Sequence, residues 1–269
     1  MCYSCKWIER LSSSGNPQEV FIPPSVFSSP IASLTLIGTV HHDLRSAATL
    51  AELLEQLQPD RLTVEISPSV VVYRQTHGVL LLRKLEMIVE RLTEHSAPLS
   101  VISDHPGIVA IRHLLCLPYE FQVACTYAKK KGIEVQAIDQ ADISLLKLRQ
   151  VEESLISLQH LKRIVAAPGT APPDNAHRYE LAGQLLSSPD PRLRSAFLQG
   201  CRGEEGIGPR DRHLAGKIRP LVQGQRGHLV HIGGWVHLID DPDGETLYSL
   251  LRDLQPRRLL LDPSHPLLP

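Results

Sequence analysis

The amino-acid sequence predicts an α/β fold in which a mostly parallel central sheet is flanked by helices. Short apolar runs typical of buried strands recur along the chain, and segments with apolar residues at helical spacing separate them. Parallel strands need such helices, because each crossover must return the chain to the same edge of the sheet. With 42% hydrophobic and 21% charged residues, the 269-residue chain has the composition of a globular protein with a sizeable core.

The first half of the chain alternates strands and helices. Residues 33–38 form an apolar run closed by a glycine, and residues 46–57 carry leucines at helical spacing. Pro59 ends this helix, and the next apolar run completes a strand–helix–strand unit with parallel pairing. The predicted elements of this half are strand 33–38, helix 46–57, strand 61–66, helix 68–94, short strand 99–102, helix 119–131 and strand 134–139.

Helices dominate the second half of the chain until two final strands. The predicted elements are helices 143–165, 176–187, 191–200 and 209–222, strand 228–234, helix 245–254 and strand 258–261. Residues 167–174 contain three prolines and a glycine and are the clearest internal linker. Because residues 141–225 carry no strand signal, we expect a helical cap within a single domain spanning residues 31–269. Residues 1–30, rich in Ser and Pro, are expected to be a flexible leader.

Composition and charge argue against several classes of partner. Lys and Arg number 28 against 29 Asp and Glu, and aromatic residues make up 4%, so no nucleic-acid surface is predicted. No apolar run approaches the roughly 18–20 residues that cross a bilayer, and the N-terminus lacks the apolar stretch of a secretory signal. Five cysteines, an odd number, indicate a reducing compartment, so we expect a cytoplasmic protein.

The spacing Cys2-x-x-Cys5 is compatible with a metal or redox site near the N-terminus. A zinc ribbon, however, needs a second pair at a suitable distance, and none follows in the sequence. We therefore interpret the two cysteines as part of a loosely held chain terminus.

Four predicted strands end in titratable side chains: His41, Glu65, Asp139 and His237. In open parallel sheets ligands bind outside the carboxyl ends of the strands, so these side chains should share one edge. His41 and His237 each stand three residues after a glycine, which lets the backbone turn sharply as it leaves the strand. Imidazoles with a carboxylate are a common ligand set for Zn²⁺, Mn²⁺, Co²⁺ or Fe²⁺.

Each of these residues also has a purely structural interpretation. The chain has 13 histidines, and one near a strand end is often a surface or hydrogen-bonded residue. Glu65 could face outward from its strand, although a buried carboxylate would need a partner. His42 and Asp43 could replace His41 or cap the helix that follows, and Asp139 could be another helix cap. His231 lies within a strand and is interpreted as a core or sheet-face residue.

A further polar segment begins the predicted helix at Pro209, a residue suited to the first helical turn. Arg210 follows, and it could bind an anionic substrate, pair with Glu65 or Glu120, or simply belong to a solvated helix start. The sequence contains no Gly-x-Ser-x-Gly motif and no glycine-rich nucleotide loop. A serine-nucleophile hydrolase and nucleotide chemistry are therefore disfavoured.

Taken in order, the motifs resemble those of the TraB/PrgY pheromone-shutdown family. They are Gly-Thr-Val-His-His from Gly38, Val64-Glu65-Ile66, Tyr119-Glu120 with Ala124 and Ala128, Ile138-Asp139, Arg210-Asp211 with Leu214, Ala215 and Ile218, and Gly-Gly-Trp-Val-His ending at His237. This family is related to the Tiki metalloproteases, in a wider group that includes erythromycin esterases and ChaN-like haem-binding proteins. The resemblance covers roughly residues 33–240.

The resemblance implies an α/β sheet with helical insertions and a site containing His41 and His237. It implies Glu65 and Glu120 as acidic site residues, with Arg210 and Asp211 shaping or charging the pocket. The activity it implies is metal-dependent peptide cleavage, with Mn²⁺ or Co²⁺ favoured over Zn²⁺, and His41, His237 and Glu65 as ligands. The sequence departs from the family where Asp139 is followed by Gln140 rather than arginine, and it shows no C-terminal membrane region.

Three functional hypotheses follow from these residues. The first is a metal-dependent hydrolase acting on a peptide or another small carbonyl compound. The second is a binding protein that sequesters a peptide or holds a haem-like ligand through His41 or His237. The third is a metal-free esterase in which one histidine acts as general base. The oligomeric state is not predicted by any of these observations.

Overall fold

A five-stranded sheet, entirely parallel, forms the centre of the computed structural model, which describes residues 32–93, 99–140, 155–167, 175–203, 206–224 and 227–264. The strands are β1 Ser33–Thr39, β2 Arg61–Val64, β3 Glu134–Ala137, β4 His228–Gly234 and β5 Arg257–Leu260. Their order across the sheet is β3-β2-β4-β1-β5. The α/β fold with a parallel sheet flanked by helices is therefore confirmed.

Strand β4 lies between β1 and β2, although it comes much later in the chain. In the β1–β4 pairing Gly38 lies beside Gly233 and Thr39 beside Gly234, and Val64 at the end of β2 lies beside Ile232. The carboxyl ends of three strands thus meet at one edge. A Cβ atom on Gly38 would lie 2.8 Å from the backbone Cα of Trp235, so glycine lets the turn after β4 fold against β1.

Eleven α-helices surround the sheet in the described part of the chain. They are α1 Ser46–Leu57, α2 Pro68–Tyr73, α3 Val79–Thr93, α4 Leu99–Ser103, α5 Pro106–Leu115, α6 Tyr119–Lys131, α7 Leu158–Ala166, α8 Ala176–Ser187, α9 Pro191–Gln199, α10 Pro209–Gly224 and α11 Leu247–Leu250. A π-helical turn, Arg74–Gly78, joins α2 to α3, and short 3₁₀ turns cover Trp235–Leu238 and Arg252–Leu254.

The structure corrects the prediction of a strand at residues 99–102, which belong to helix α4 instead. Four residues are too few to separate the two-residue period of a strand from a helical period, and here Ile102 is buried while Val101 is exposed. The single helix predicted over residues 68–94 is divided into α2 and α3 by the π-helical turn. The helix predicted over residues 245–254 is only one turn of α-helix, followed by a 3₁₀ turn.

Helix α5 has no counterpart among the predicted elements. Its buried residues Ile108, Ile111 and Leu115 nevertheless follow helical spacing, and Pro106 occupies its first turn. The ring Nδ1 of His105 accepts a hydrogen bond from the backbone N–H of Gly107 at 3.2 Å, in place of the usual hydroxyl or carboxylate cap. A histidine in that position does not mark a helix start in sequence as a serine or aspartate does.

Alternate residues of the strands enter cores on opposite faces of the sheet. On one face Ile37 packs with Leu54 of α1 and Leu85 of α3, together with residues of α5, α6 and α7. On the other face Leu36 packs with Ile218 of α10, in a cluster that also includes α11. A third cluster joins α8 and α9 to Trp235.

The helices of residues 141–225 that the structure describes are distributed among these three clusters. Helix α7 packs beside α3 and α5, and α10 covers one face of the sheet. Residues 141–154 lie outside the described residues, as do 168–174 of the predicted linker 167–174 and the predicted leader at 1–30 with its Cys2 and Cys5.

Within the described ranges no single helix has both the length and the apolarity that a membrane crossing requires. Helices α5 and α6 meet those limits only when taken together, with a bend of 45° between them.

Candidate functional site

Six residues predicted for the site lie together at the carboxyl edge of the sheet. His41 follows β1, Glu65 follows β2, and His237 lies in the 3₁₀ turn after β4. Glu120 comes from the first turn of α6, and Arg210 and Asp211 come from the first turn of α10. The contacts below link all six through Glu65, because His41, His237 and Arg210 each approach its carboxylate.

Glu65 occupies the centre of this group and is almost wholly buried. Its Oε2 accepts the backbone N–H of Gly234 at 2.6 Å. Its Oε1 lies 2.7 Å from Nη2 of Arg210 and 3.2 Å from Nε2 of His237. Both carboxylate oxygens therefore already face positive or hydrogen-bond-donating groups.

His41 is oriented by a second buried carboxylate. Its Nδ1 lies 3.0 Å from Oε1 of Glu120, which also accepts the hydroxyl of Thr39 at 3.1 Å. The other ring nitrogen, Nε2, is 4.0 Å from Oε2 of Glu65, too far for a hydrogen bond. With 44% of its side chain exposed, His41 is the member of the group that reaches solvent most fully.

His237 is held in the same manner but deeper in the protein. Its Nδ1 donates to Oδ1 of Asp211 at 2.8 Å, and its Nε2 faces Glu65. Oδ1 of Asp211 also accepts the backbone N–H of Leu247 at 2.6 Å, which ties the start of α10 to the start of α11. His237 is therefore fixed between two carboxylates.

Arg210 links Glu65 to Asp139, the residue after β3. Its Nε and Nη2 donate to the two oxygens of Asp139 at 2.9 and 2.6 Å, a bidentate pairing. Of the pairings considered from the sequence, the one with Glu65 is present, whereas no ion pair joins Arg210 to Glu120 within the described residues. About a quarter of the Arg210 side chain (26%) remains exposed.

The charges in this network change the protonation of its members. Burial lowers the pKa of His237, but the charges of Glu65 and Asp211 outweigh it and raise that pKa to about 10. Burial would raise the pKa of Glu65, yet His237 and Arg210 hold it well below its ordinary value of 4.5. Glu65 is thus a carboxylate and His237 an imidazolium at neutral pH.

Opposing effects act on the pKa of His41. Burial lowers its pKa, whereas the hydrogen bond with Glu120 and the charges of Glu65 and Glu120 raise it. The net result is a pKa above the ordinary value of 6.5.

The two glycines at the end of β4 leave space for the side chains of the site, beyond any need of the backbone for glycine. A Cβ atom on Gly233 would lie 2.6 Å from Oε2 of Glu65, and one on Gly234 would lie 2.9 Å from Nε2 of His41. Gly234 has φ −66°, a value open to any residue. Glycine at this position therefore leaves room between the side chains.

The turn that carries His41 is anchored by residues outside the predicted site. The backbone N–H of Asp43 bonds to the carbonyl of Val40 at 3.2 Å, and His42 between them has φ +67°. The Asp43 carboxylate accepts the hydroxyl of Tyr179 at 2.8 Å and is also bound by Arg45. Asp43 thus fixes the turn and does not replace His41, whose ring it leaves free to face the site.

Asp139 lies at this edge of the sheet, as its position after a strand predicts, whereas Tyr179 was not predicted for the site; both residues stabilise the site. Asp139 accepts the N–H of Gln140 at 2.8 Å, a local bond, but its main partner is Arg210. Tyr179 carries no sequence signal, since a tyrosine within a helix is most often a core residue. His231 lies in β4, as expected, wholly buried with Nδ1 3.0 Å from the hydroxyl of Thr63.

The residues meet one requirement of a metal centre and fail another. Each histidine has Nδ1 bound to a carboxylate and Nε2 directed at Glu65, the orientation typical of metal-ligating imidazoles. Glu65, however, has Arg210 on one oxygen and a backbone N–H on the other, so it is not available as a ligand as placed. In the part of the chain that the structure describes, no group of three or more His, Cys, Asp or Glu side chains is arranged to hold a metal ion.

Haem binding would require an apolar cleft near the histidines, and Trp235 is the large apolar residue two positions before His237. That side chain is 6% exposed, and its ring stacks on Phe197 with 5.5 Å between the ring centroids. Trp235 therefore belongs to the core cluster of α8 and α9.

Comparisons of this chain with models of protein families, with curated proteins and with solved structures find no match in any of the three.

Proposed function

We propose that the chain is a hydrolase acting on an ester or amide carbonyl, with His41 as general base. The observation that carries the proposal is the pairing of His41 with Glu120. Nδ1 is held by a buried carboxylate, while Nε2 has no hydrogen-bond partner among the residues that the structure describes, and the ring reaches solvent. A carboxylate bound to one ring nitrogen fixes the tautomer in which the other nitrogen can accept a proton.

The other ionisable groups suit supporting roles. Glu65 is a poor base, because its low pKa and its three partners keep it unprotonated. His237 is a poor base as well, because it already carries a proton at neutral pH. The carboxylates of Glu65 and Asp139 hold Arg210 at the edge of the site.

The proposed reaction begins when Nε2 of His41 takes a proton from water. The water oxygen then forms a bond to the substrate carbonyl carbon, whose oxygen becomes negatively charged. Arg210, which is partly exposed and cationic, would stabilise that charge in the proposed reaction. The proton on His41 passes to the leaving alcohol or amine as the tetrahedral intermediate collapses.

A chromogenic assay tests this role for His41. The probes are p-nitrophenyl acetate and an N-acetylalanine p-nitroanilide, followed with the wild-type chain, His41→Gln and the matched control His177→Gln on the exposed face of α8. We expect His41→Gln to lower kcat/KM by about 10²–10⁴ and the control to retain wild-type activity. Equal rates in the three proteins would exclude His41 as the base.

A metal-dependent hydrolase is the second candidate, in line with the resemblance to the TraB/PrgY and Tiki proteins. The observation that favours it is the carboxylate-bound orientation of both imidazoles described above. Mn²⁺ or Co²⁺, with Zn²⁺ as a further possibility, would supply a Lewis acid when bound. Glu65 would first have to give up its contact with Arg210 to join His41 and His237 as a ligand.

Metal analysis separates the two candidates. Protein purified without a histidine tag is measured by plasma mass spectrometry, before and after incubation with Mn²⁺ or Co²⁺, beside His41→Ala and His237→Ala. One metal per chain, lost in both variants together with the activity, would favour the metal-dependent reaction. Activity that persists in EDTA, with no metal retained, would favour His41 acting alone.

The substrate and compartment belong to the same proposal. A peptide or another small carbonyl compound is the proposed substrate, on the evidence of the resemblance and of the acid–base groups. The cytoplasm is the proposed compartment, supported by the odd number of cysteines in the sequence.

A further inference from the structure

Three arginine side chains from separate segments of the chain meet around one aromatic ring and one carboxylate. The guanidinium carbon of Arg258, in β5, lies 4.0 Å from the centre of the Tyr248 ring, and that of Arg252 lies 5.9 Å from it. Nη2 of Arg252 is also paired with Oδ1 of Asp240, and Nη2 of Arg194, in α9, lies 3.9 Å from Oδ2 of the same carboxylate. We call these residues the arginine cluster: Arg194, Asp240, Tyr248, Arg252 and Arg258.

The positive charge of the arginine cluster exceeds the negative charge that is paired with it. Among the described residues, Asp240 is the only carboxylate that forms an ion pair with any of the three arginines. The carbonyl oxygen of Leu238 accepts Nη1 of Arg258 at 2.9 Å, but a carbonyl carries no net charge. Two of the three positive charges are therefore not balanced, and an anion bound among them would be stabilised.

Arg194 has hydrogen-bond donors that the described residues do not satisfy. Its side chain is only 13% exposed, and its Nε is buried with no hydrogen-bond partner. Nη1 donates to the carbonyl oxygen of Ser188, whereas Nη2 is too far from Asp240, at 3.9 Å, for a hydrogen bond. A buried donor without a partner costs free energy, so an acceptor bound here would offset that cost.

Arg258 shows the effect of the neighbouring positive charges. Burial lowers its pKa most strongly, the Tyr248 hydroxyl raises it, and the charges of Arg194 and Arg252 lower it further. These directions agree with the contacts above, which bring the three guanidinium groups to one ring and one carboxylate. A bound anion would reduce both the cost of burial and the repulsion between the arginines.

We propose that the arginine cluster binds a phosphate group, either as inorganic phosphate or as part of a small phosphomonoester. A phosphate dianion matches the two unbalanced charges, whereas a carboxylate would neutralise only one of them. Guanidinium groups bind phosphate oxygens through paired N–H donors, and one phosphate can accept hydrogen bonds from more than one arginine. The inference does not rest on the proposed hydrolysis. The phosphate would lie beside the turn that carries His237, because Arg258 binds the carbonyl of Leu238 in that turn.

Calorimetric titration of the full chain tests the inference. The probes are inorganic phosphate, phenyl phosphate and acetate at pH 8, where both phosphates are mainly dianions. We expect at least one phosphate to bind the wild-type chain more tightly than acetate does. We expect Arg252→Gln and Arg194→Gln each to weaken that binding about tenfold, through the loss of a charged hydrogen-bond donor. Arg192→Gln, which removes an exposed arginine of α9, should leave it unchanged.

Asp240→Asn should change the affinity in the opposite direction. The substitution removes a negative charge that a phosphate must approach, so we expect phosphate to bind about tenfold more tightly. A variant that only damaged the structure would bind phosphate less tightly, so this result separates a charge effect from a loss of fold. The Arg252 side chain is 58% exposed, so Arg252→Gln should fold as the wild-type chain does.

The two phosphates distinguish the sources of the bound group. Tighter binding of phenyl phosphate would identify a phosphomonoester as the ligand, and tighter binding of inorganic phosphate would identify the free ion. Absence of binding by both phosphates, acetate bound as tightly as phosphate, or an affinity that survives both arginine variants would each overturn the inference. Weaker binding by Asp240→Asn would also overturn it.

Discussion

Gly234 and His41 are so close that a methyl group on the glycine would lie 2.9 Å from Nε2 of the histidine. The same methyl group would lie 3.5 Å from the ring of His237 and 3.6 Å from Oε2 of Glu65. The backbone of Gly234 would accept an alanine, so the space that the missing side chain leaves is what glycine provides here. That space adjoins the nitrogen proposed to take the proton from water.

Gly234→Ala should therefore reduce activity while leaving the fold stable. We expect kcat/KM for p-nitrophenyl acetate to fall about a hundredfold, because displacement of a reacting group by about 1 Å has such effects. The free energy of unfolding should change by less than about 1 kcal/mol, since alanine fits the backbone conformation. Gly183→Ala, in α8 with no atom within 4 Å of the added methyl group, is the matched control. If the Gly234→Ala enzyme kept wild-type activity, the reaction would not take place beside Nε2 of His41.

The pH dependence of activity should follow the protonation of His41. A general base must be unprotonated, so kcat/KM should rise with pH and reach half its plateau above pH 6.5, because the pKa of His41 is raised. Glu120→Gln removes a charge and a hydrogen bond that raise this pKa, so the midpoint should move to lower pH. The measurement is kcat/KM from pH 5 to 9 in both proteins. If the midpoint is the same in both proteins, kcat/KM does not depend on the protonation of His41.

Asp211→Asn should be strongly destabilising, since it leaves the buried His237 charge with one carboxylate instead of two. Loss of one partner in a buried ion pair costs about 3–5 kcal/mol. Oδ1 of Asp211 also accepts the Leu247 N–H, a bond that the amide oxygen of asparagine can still accept, so the expected loss is that of the negative charge. Urea unfolding of the variant is compared with that of Asp253→Asn, which alters an exposed ion pair with Arg219 and should leave the midpoint almost unchanged. Equal midpoints for the two variants would contradict the role given to Asp211.

His231 should make the fold sensitive to acid. Burial lowers its pKa in the folded state to about 4, against 6.5 when exposed, so between these pH values the unfolded chain binds the extra proton. Stability contributed by the neutral ring is present above pH 6.5 and is lost as the pH falls toward 4. Over that window wild-type stability should fall more steeply than that of His231→Gln, by up to about 1.4 kcal/mol per pH unit. Parallel curves from urea unfolding at several pH values would show that His231 does not titrate in this way.

Much of the sheet could be predicted from the sequence because each strand has a local signature. An apolar run followed by glycine and then a histidine marks the ends of both β1 and β4, and the structure places Gly38 and Gly233 side by side. The position of Glu65 at the same edge follows from the general placement of ligand sites in parallel sheets. Local pattern and topology together account for these residues.

Contacts between distant segments could not be predicted in the same way. Nothing in the spacing of His41 and Glu120 indicates that α6 would supply the carboxylate for a residue that follows β1. The resemblance to a known family indicated Glu120 as a site residue, but not its partner. The contact of Asp139 with Arg210 could not be predicted either. The position of Asp139 in the sequence suits a helix cap, and only the packing of α10 brings Arg210 to it.

Short elements were also beyond prediction, for a physical reason. The apolar pattern of residues 99–102 fits a strand and a helical turn equally well. Packing against neighbouring elements determines which of the two forms. The π-helical turn at Arg74 arises where Gly78 meets the carbonyl of Leu115, a tertiary contact that no local pattern reveals.

The order of the strands also sets the order in which the site can assemble during synthesis. Strands β1 and β2 both pair with β4 and not with each other, so His41 and Glu65 have no fixed separation until residues 228–234 have been added. A nascent chain that ends before β4 holds three of the site's carboxylates and one of its histidines without the strand that spaces them. The site is thus completed late on the ribosome, and its formation reports that β1, β2 and β4 have paired.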